Sequence, residues 1–326
     1  MAMYVLGIET SCDETAAAVV KDSRKILSSV VSSSLHLHSR YGGIVPEIAF
    51  RKQLETITQV ADCAVKEAGI PLRKIGAICV TDDPGLLGSL FVGISFARAL
   101  GLALSRPVIP VNHLDAHIYA GLFGLKEVRF PFMALVVSGG HTSLFYVEDY
   151  NRMRVIGQTL DDACGESFDK VAKILGLGYP GGPLIEKYAS QGDAGSFEFN
   201  CCDTRGAFDF SFSGIKTAVL YRVRGLKSPL SLTLKRNIAA SFQEAVIRAL
   251  VRKSLAAAVR MRVNTLIVGG GVAANSRLRL LLSREAKEKG IRAVFPPKDL
   301  CMDNAAMVAG LGSRYFQKGR FRSPAG

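Results

Sequence analysis

The sequence is short of several things, and each shortage narrows the reading. No apolar run reaches the roughly 18 to 20 residues that a membrane-crossing helix needs, so no membrane partner is expected. The opening MAMYVLGIET lacks the basic start of a signal or transit peptide and enters a strand-like pattern at once. Cysteine is scattered: Cys12, Cys63, Cys79, Cys164, Cys201, Cys202 and Cys301, an odd number with no CxxC pair. Neither a disulfide framework nor a cysteine zinc site is expected, and a reducing cytoplasm fits. Low-complexity linkers are missing, and so is an obvious domain break. A zinc protease is also removed: the residue after His113 in HLDAH is Leu114, where HExxH needs its general-base glutamate.

What is present is the composition of a globular chain. Its 326 residues are 48% hydrophobic and 21% charged, with 32 glycines. That is long for a single core and comfortable for two lobes. The glycines fall in short clusters between apolar runs, the texture of an α/β protein with tight, ligand-facing turns. The net charge is +13, which favours polyanionic partners, nucleic acid first. The cations are spread through the second half, from Lys235 and Arg236 through Arg248, Arg252, Lys253, Arg260 and Arg262 to the tail RYFQKGRFR. A diffuse basic face suits sugar-phosphate contact better than base reading.

Along the chain, YVLGIETSCDETAAAVV reads as strand, polar turn, strand. FMALVVSGGHTSLFYV repeats that grammar, which points to a duplicated unit. Between them, helical spacing marks residues 46–69, KIGAICVTDDPG reads as a buried strand, SLFVGISFARALGLAL as an apolar helix and PVIPVNH as another strand. In the second half GESFDKVAKILGL reads as an amphipathic helix, YPGGP as a rigid turn and NIAASFQEAVIRALVRKSLAAAVR as a long helix. NTLIVGGGVAANSRLRLLLSREAKEKG reads as strand, glycine turn and helix, an arrangement that aims backbone N–H groups at a nucleotide.

Three sets of residues carry chemistry. His113 and His117 are four apart, so on a helix both imidazoles share one face within reach of a single ion. A surface helix lined by two histidines explains that spacing as well. The turns TSCDET (10–15), SGGHT (138–142) and GGGVAAN offer hydroxyls and backbone amides that wrap phosphate without a Walker lysine. Plain turns are the competing reading. Among the acids, Asp161, Asp162, Glu166 and Asp169 sit in DDACGESFDK, with Glu166 and Asp169 on one helical face. Asp303 precedes a small-residue helix, where it is either an ordinary N-cap or a third metal ligand.

GIETSCDET, VNHLDAH, VSGGHT, FDK followed by YPGGP, FSFSGIKT, GGGVAAN and MDNAAMVAG, in that order, resemble the tRNA adenosine threonylcarbamoyltransferase family in its bacterial TsaD type. The resemblance covers residue 5 to about 313. It implies an α/β, actin-like fold of two duplicated lobes around a cleft, as in sugar kinases and heat-shock ATPases. The lobes are expected at 1–112, completed by a C-terminal helix at about 304–326, and at 113–303. It implies transfer of threonylcarbamoyl from threonylcarbamoyl-AMP to the exocyclic amine of adenosine 37, in tRNAs that read codons beginning with A. Carried over by motif, the metal ligands are His113, His117 and Asp303. The donor-binding positions are Val136, Val137, Ser138, Gly139, Gly140, Asp169, Gly182, Glu186 and Asn275. Two positions depart from relatives: Val136 replaces the tyrosine metal ligand of archaeal members, and Glu186 stands where many relatives have Asp. The implied cofactor is one divalent metal, Fe2+ or Zn2+. The implied partners are tRNA, a TsaB paralogue in a heterodimer and the ATPase TsaE. No residue stands out as general base, with His141 or a carboxylate the candidates. The competing functions are an ATPase or small-molecule kinase of the same fold, and an inactive scaffold.

Overall fold

The computed structural model describes residues 2–125, 127–201, 204–226 and 229–319; Cys202 and the end of the basic tail, from Arg320, lie outside them. The chain divides into two compact units, Met1–Lys126 with Met302–Gly326, and Glu127–Cys301. The sequence reading placed the first boundary at 112; the structure keeps the HLDAH segment with the first unit.

The first unit runs β1 (Tyr4–Glu9), β2 (Glu14–Lys21), β3 (Lys25–Ser33), the short α1 (Leu35–His38), α2 (Pro46–Glu67), β4 (Ile75–Asp83), α3 (Leu87–Leu104), β5 (Val108–Asn112) and α4 (His113–Ala120). It is completed at the far end of the chain by α10 (Ala305–Gln317). The second unit runs β6 (Phe132–Val137), β7 (Thr142–Asp149), β8 (Arg152–Gln158), α5 (Cys164–Ile174), α6 (Gly181–Ala189), α7 (Ser213–Arg224), α8 (Leu232–Arg260), β9 (Thr265–Gly269), α9 (Ser276–Glu288) and β10 (Arg292–Val294).

The sheets share one plan. Their orders are β3-β2-β1-β4-β5 and β10-β9-β6-β7-β8. In each, the first strand pairs antiparallel with the second and parallel with the fourth. The third pairs antiparallel with the second, and the fifth parallel with the fourth. This repeated topology is the duplicated, actin-like two-lobe α/β architecture that the hairpin grammar and the resemblance implied.

Why the strands stay buried follows from their residues. β2 and β6 are apolar on both faces, as strands covered on both sides must be: Ala16 to Val20 and Phe132 to Val137 are all buried. One face of the first sheet packs Leu6, Ile8 and Ile78 against Ile57, Val60 and Ala61 of α2 and Val92 of α3. The other face takes α10, which lies unusually close. A Cβ on Gly7 would overlap the Ala305 carbonyl, and one on Gly312 would overlap the Cys79 sulfur. Small residues at these contacts therefore set how near α10, and the residues just before it, come to β1. In the second unit Phe168 and Phe242 stack edge to face at 5.1 Å in a core with Phe210, Phe212, Leu250 and Leu278.

Two expectations change. Helix α3 has 18 residues with Arg98 as its single charge, and a third of it is buried. By length and composition it is apolar enough to cross a membrane, which the expected absence of long apolar runs did not allow for. It packs on β4 and α2 and leaves Leu87, Phe91 and Leu102 exposed. YPGGP is a turn only in its first residues, since Gly181 already opens α6.

Candidate metal centre and donor-binding turns

Helix α4 starts where β5 ends. The Asn112 side chain caps it, accepting from the amides of Leu114 (2.9 Å) and Asp115 (3.2 Å), two of the donors that a helix start leaves unpaired. His113 is thus the first helical residue and His117 lies one turn on. Their rings meet at 4.6 Å. Asp303 reaches them from just before α10: its Oδ1 is 3.0 Å from His117 Nε2 and 3.6 Å from His113 Nε2. The expected N-cap role of Asp303 belongs instead to Asn304, whose Oδ1 accepts from Met307 N at 3.0 Å. The Asp303 carboxylate instead faces the histidines.

Among the described residues, this trio is the one group of three or more His, Cys, Asp or Glu side chains with ligand atoms within 4.8 Å of one another. Ligands about 2.1 Å from one tetrahedral ion stand ~3.4 Å apart, so small side-chain shifts suffice to close on a metal. Both histidines are buried, and the Nδ1 of His117 has no hydrogen-bond partner. Two imidazoles and a carboxylate suit zinc and iron alike.

The surroundings are rich in acid. Burial opposes the His113 cation, but the carboxylates of Glu9 and then Asp303 outweigh it and carry its pKa up to about 9. Glu14 is pushed up to about 10 by burial and then by Asp303 and Asp13. Crowded carboxylates of this kind are what a bound cation relieves. Glu9 was not singled out in the sequence. It is buried at the end of β1, 3.1 Å from His113 Nδ1, and in the sequence it read as the edge of a polar turn.

The nine expected donor positions all fall in the second unit, at the ends of β6 and β9 and around α5, α6 and α9. Val136 and Val137 are buried in β6, and Ser138 to Gly140 form the turn that follows. The turn is closed by Ser138 N donating to His141 O at 2.8 Å and His141 N donating to Ser138 Oγ at 3.2 Å. The start of α5 braces it, with Gly165 N donating to Ser138 O at 3.0 Å. Gly139 and Gly140 are exposed, with open space where a side chain would sit.

Asp169 and Gly182 meet directly, since the Asp169 carboxylate accepts from the amides of Gly181 (2.7 Å) and Gly182 at the start of α6. One turn along α6, Glu186 Oε1 accepts from Ser276 N at 2.9 Å. Asn275 caps α9 through Leu278 N at 3.0 Å, and its Nδ2 donates to Gln243 at 2.9 Å. Beside them lies a cavity of about 720 Å³ lined by Glu186, Gln243, Glu244, Ser276, Arg277 and Leu280 among others, a size suited to a small ligand.

The remaining acids hold structure. Asp161 caps α7, accepting from the amides of Phe212 and Ser213 at 2.8 and 3.2 Å. Asp162 binds Lys170 and Lys216, each at 2.7 Å, so the DDACGESFDK and FSFSGIKT segments are fastened to each other. Glu166 pairs with Lys170 while Asp169 caps α6, so the helical face shared by these two acids has two separate jobs.

The model of a family described as tRNA N6-adenosine threonylcarbamoyltransferase matches residues 25–310. A protein of that name from Caldicellulosiruptor saccharolyticus is 48% identical over 98% of this chain and 95% of its own length. One from Symbiobacterium thermophilum is 49% identical, covering 97% and 92%. Among solved structures, full-length HypF in its phosphate- and nucleotide-bound form aligns with TM-score 0.64 at 13% identity, over 98% of this chain and 47% of that one. Component A of (R)-2-hydroxyglutaryl-CoA dehydratase from Acidaminococcus fermentans aligns with TM-score 0.55 at 14% identity, over 96% and 98%.

Proposed function

The chain belongs to the tRNA N6-adenosine threonylcarbamoyltransferase family, acyltransferases of tRNA, and on that premise we propose that it moves threonylcarbamoyl from threonylcarbamoyl-AMP to the exocyclic amine of adenosine 37. The observation that carries the site assignment is the convergence of His113, His117 and Asp303, buried and within ligand distance. In this reading they hold one divalent metal, Fe2+ or Zn2+. The metal supplies charge that stabilises the donor's phosphate as it becomes the leaving group.

The chain's other residues do the positioning. Gly139 and Gly140 let the donor's phosphate approach backbone amides. Asp169, Gly182, Glu186 and Asn275 surround the nucleoside, with the neighbouring cavity to receive it. The amine nitrogen of adenosine attacks the carbamoyl carbon, the bond from that carbon to the phosphate oxygen breaks, and AMP departs, while the proton that the amine loses passes to the departing phosphate or to water. An adenine amine is a weak nucleophile, so orientation and leaving-group stabilisation supply most of the acceleration. Adenosine 37 must leave the anticodon stack, at a cost of a few kcal/mol, and cationic surface holds the stem meanwhile. A TsaB-type paralogue and a TsaE-type ATPase complete the system, in the cytoplasm where tRNA resides.

The test is reconstitution with those partners, threonine, bicarbonate, ATP and unmodified tRNA, with the modified nucleoside measured by mass spectrometry. Wild type forms it; the double variant His113→Ala, His117→Ala folds and does not. Normal rates from the double variant would end the metal assignment. ATP turnover without tRNA and without nucleoside product would favour a kinase or ATPase instead.

A further inference from the structure

Glu9 is a fully buried carboxylate to which the proposed mechanism gives no task. It is 0% exposed, and an uncompensated charge that deeply buried is disfavoured. It is instead fully engaged. Oε1 accepts from the Ser11 amide at 2.5 Å, and Oε2 accepts from the Thr81 hydroxyl at 2.5 Å. The same Oε2 lies 3.1 Å from His113 Nδ1, and the Ser11 hydroxyl lies 3.2 Å from that nitrogen.

An ionised carboxylate only accepts, so the ring nitrogen facing it must carry a proton. The other nitrogen, Nε2, is then the one turned towards Asp303, 3.6 Å away, and the one placed to take a metal. His117 offers the contrast: its Nε2 faces Asp303 at 3.0 Å while its Nδ1 is buried with no hydrogen-bond partner. One imidazole of the pair is oriented from behind and the other is not.

We propose that Glu9, steadied by the Ser11 amide and the Thr81 hydroxyl, is a positioning residue that holds His113 as its Nδ1–H tautomer with Nε2 aimed at the metal. This rests on the reading of His113, His117 and Asp303 as ligands. The competing role for Glu9 is purely structural, a buried tie between β1 and α4. The two differ in what they move: a structural tie changes folding stability alone, whereas an orienting carboxylate changes metal affinity, by 10- to 100-fold in comparable sites.

The experiment titrates metal-free full-length protein with Zn2+ alone, in competition with a chromophoric chelator, for wild type, His113→Ala, Glu9→Gln and Thr81→Val. Thermal melts of the metal-free forms run alongside. Glu9→Gln should weaken zinc binding about 10- to 100-fold, because one amide oxygen cannot accept from three donors. Thr81→Val should weaken it less, in the same direction, and serves should Glu9→Gln fail to fold. In zinc-loaded wild type labelled with 15N-histidine, His113 should carry its proton on Nδ1. Wild-type binding with both variants within twofold of it, or a proton on Nε2 of His113, overturns the inference alone. A wild type that binds no zinc, like His113→Ala, removes the metal reading and the inference with it.

Discussion

Gly139 and Gly140 meet nothing within 4 Å where a Cβ would be, whereas at Gly270, with φ +89°, a Cβ would run into the Val137 carbonyl. The two positions therefore differ: packing requires glycine at 270, whereas no atom of the protein lies where a Cβ at 139 or 140 would sit. Gly139→Ala should leave folding stability within about 0.5 kcal/mol while raising the KM for the donor. Gly270→Ala should destabilise by roughly 1–3 kcal/mol, read by urea denaturation. Equal losses of stability in the two variants would contradict this division. The histidine pair was legible because its partners are four residues apart. Glu9 was not, because the groups that give it meaning, Thr81 and His113, lie 72 and 104 residues away and sequence spacing carries no signal over such distances.

At the scale of elements, three asparagines decide where functional helices begin: Asn112 for α4, Asn275 for α9 and Asn304 for α10. Asn304→Ala removes a cap worth about 1 kcal/mol and loosens the approach of Asp303, so both stability and metal affinity should fall. Asp303→Asn should cost affinity alone; metal titration and thermal melts separate the two. A second prediction concerns the fastening of α5 to α7. Burial works to raise the Asp162 carboxyl, but hydrogen bonds from Lys170 and Lys216 and their charges hold it below its ordinary 3.8. A lowered carboxylate stabilises the fold above its unfolded pKa, and that contribution is lost as pH falls through the folded value. Wild type should therefore lose melting temperature below about pH 4 more steeply than Asp162→Asn, which starts lower. Parallel curves would show that the pair contributes nothing.

For the whole molecule, the net charge of +13 predicts that tRNA binding is driven largely by its phosphates. Binding through phosphates releases counterions, so affinity falls steeply with salt; about 6–10 neutralised phosphates correspond to a ~10³–10⁵-fold loss between 50 and 200 mM. Filter binding of unmodified tRNA across that range should show at least a tenfold loss, and a flat profile would assign recognition to groups other than the cations.

The order of local elements was determined by the sequence alone, because it depends on short-range patterns: apolar runs for β1, β4, β6 and β9, helical spacing in α2 and α5, and turn residues between them. Duplication was legible from the two hairpins, and the grouping of His113, His117 and Asp303 from the ordered motifs. What only the tertiary structure decided is which distant residues meet and for what purpose. Asp303 faces His117 because α10 lies close enough on β1 to deliver it, and the cap role passes to its neighbour. Asp161 and Asp162 hold helix α7 and two lysines, and α4 stays with the first sheet. Each of these is settled by contacts between residues remote in the chain; burial of a face leaves a periodic trace along the sequence, but the identity of the remote partner does not.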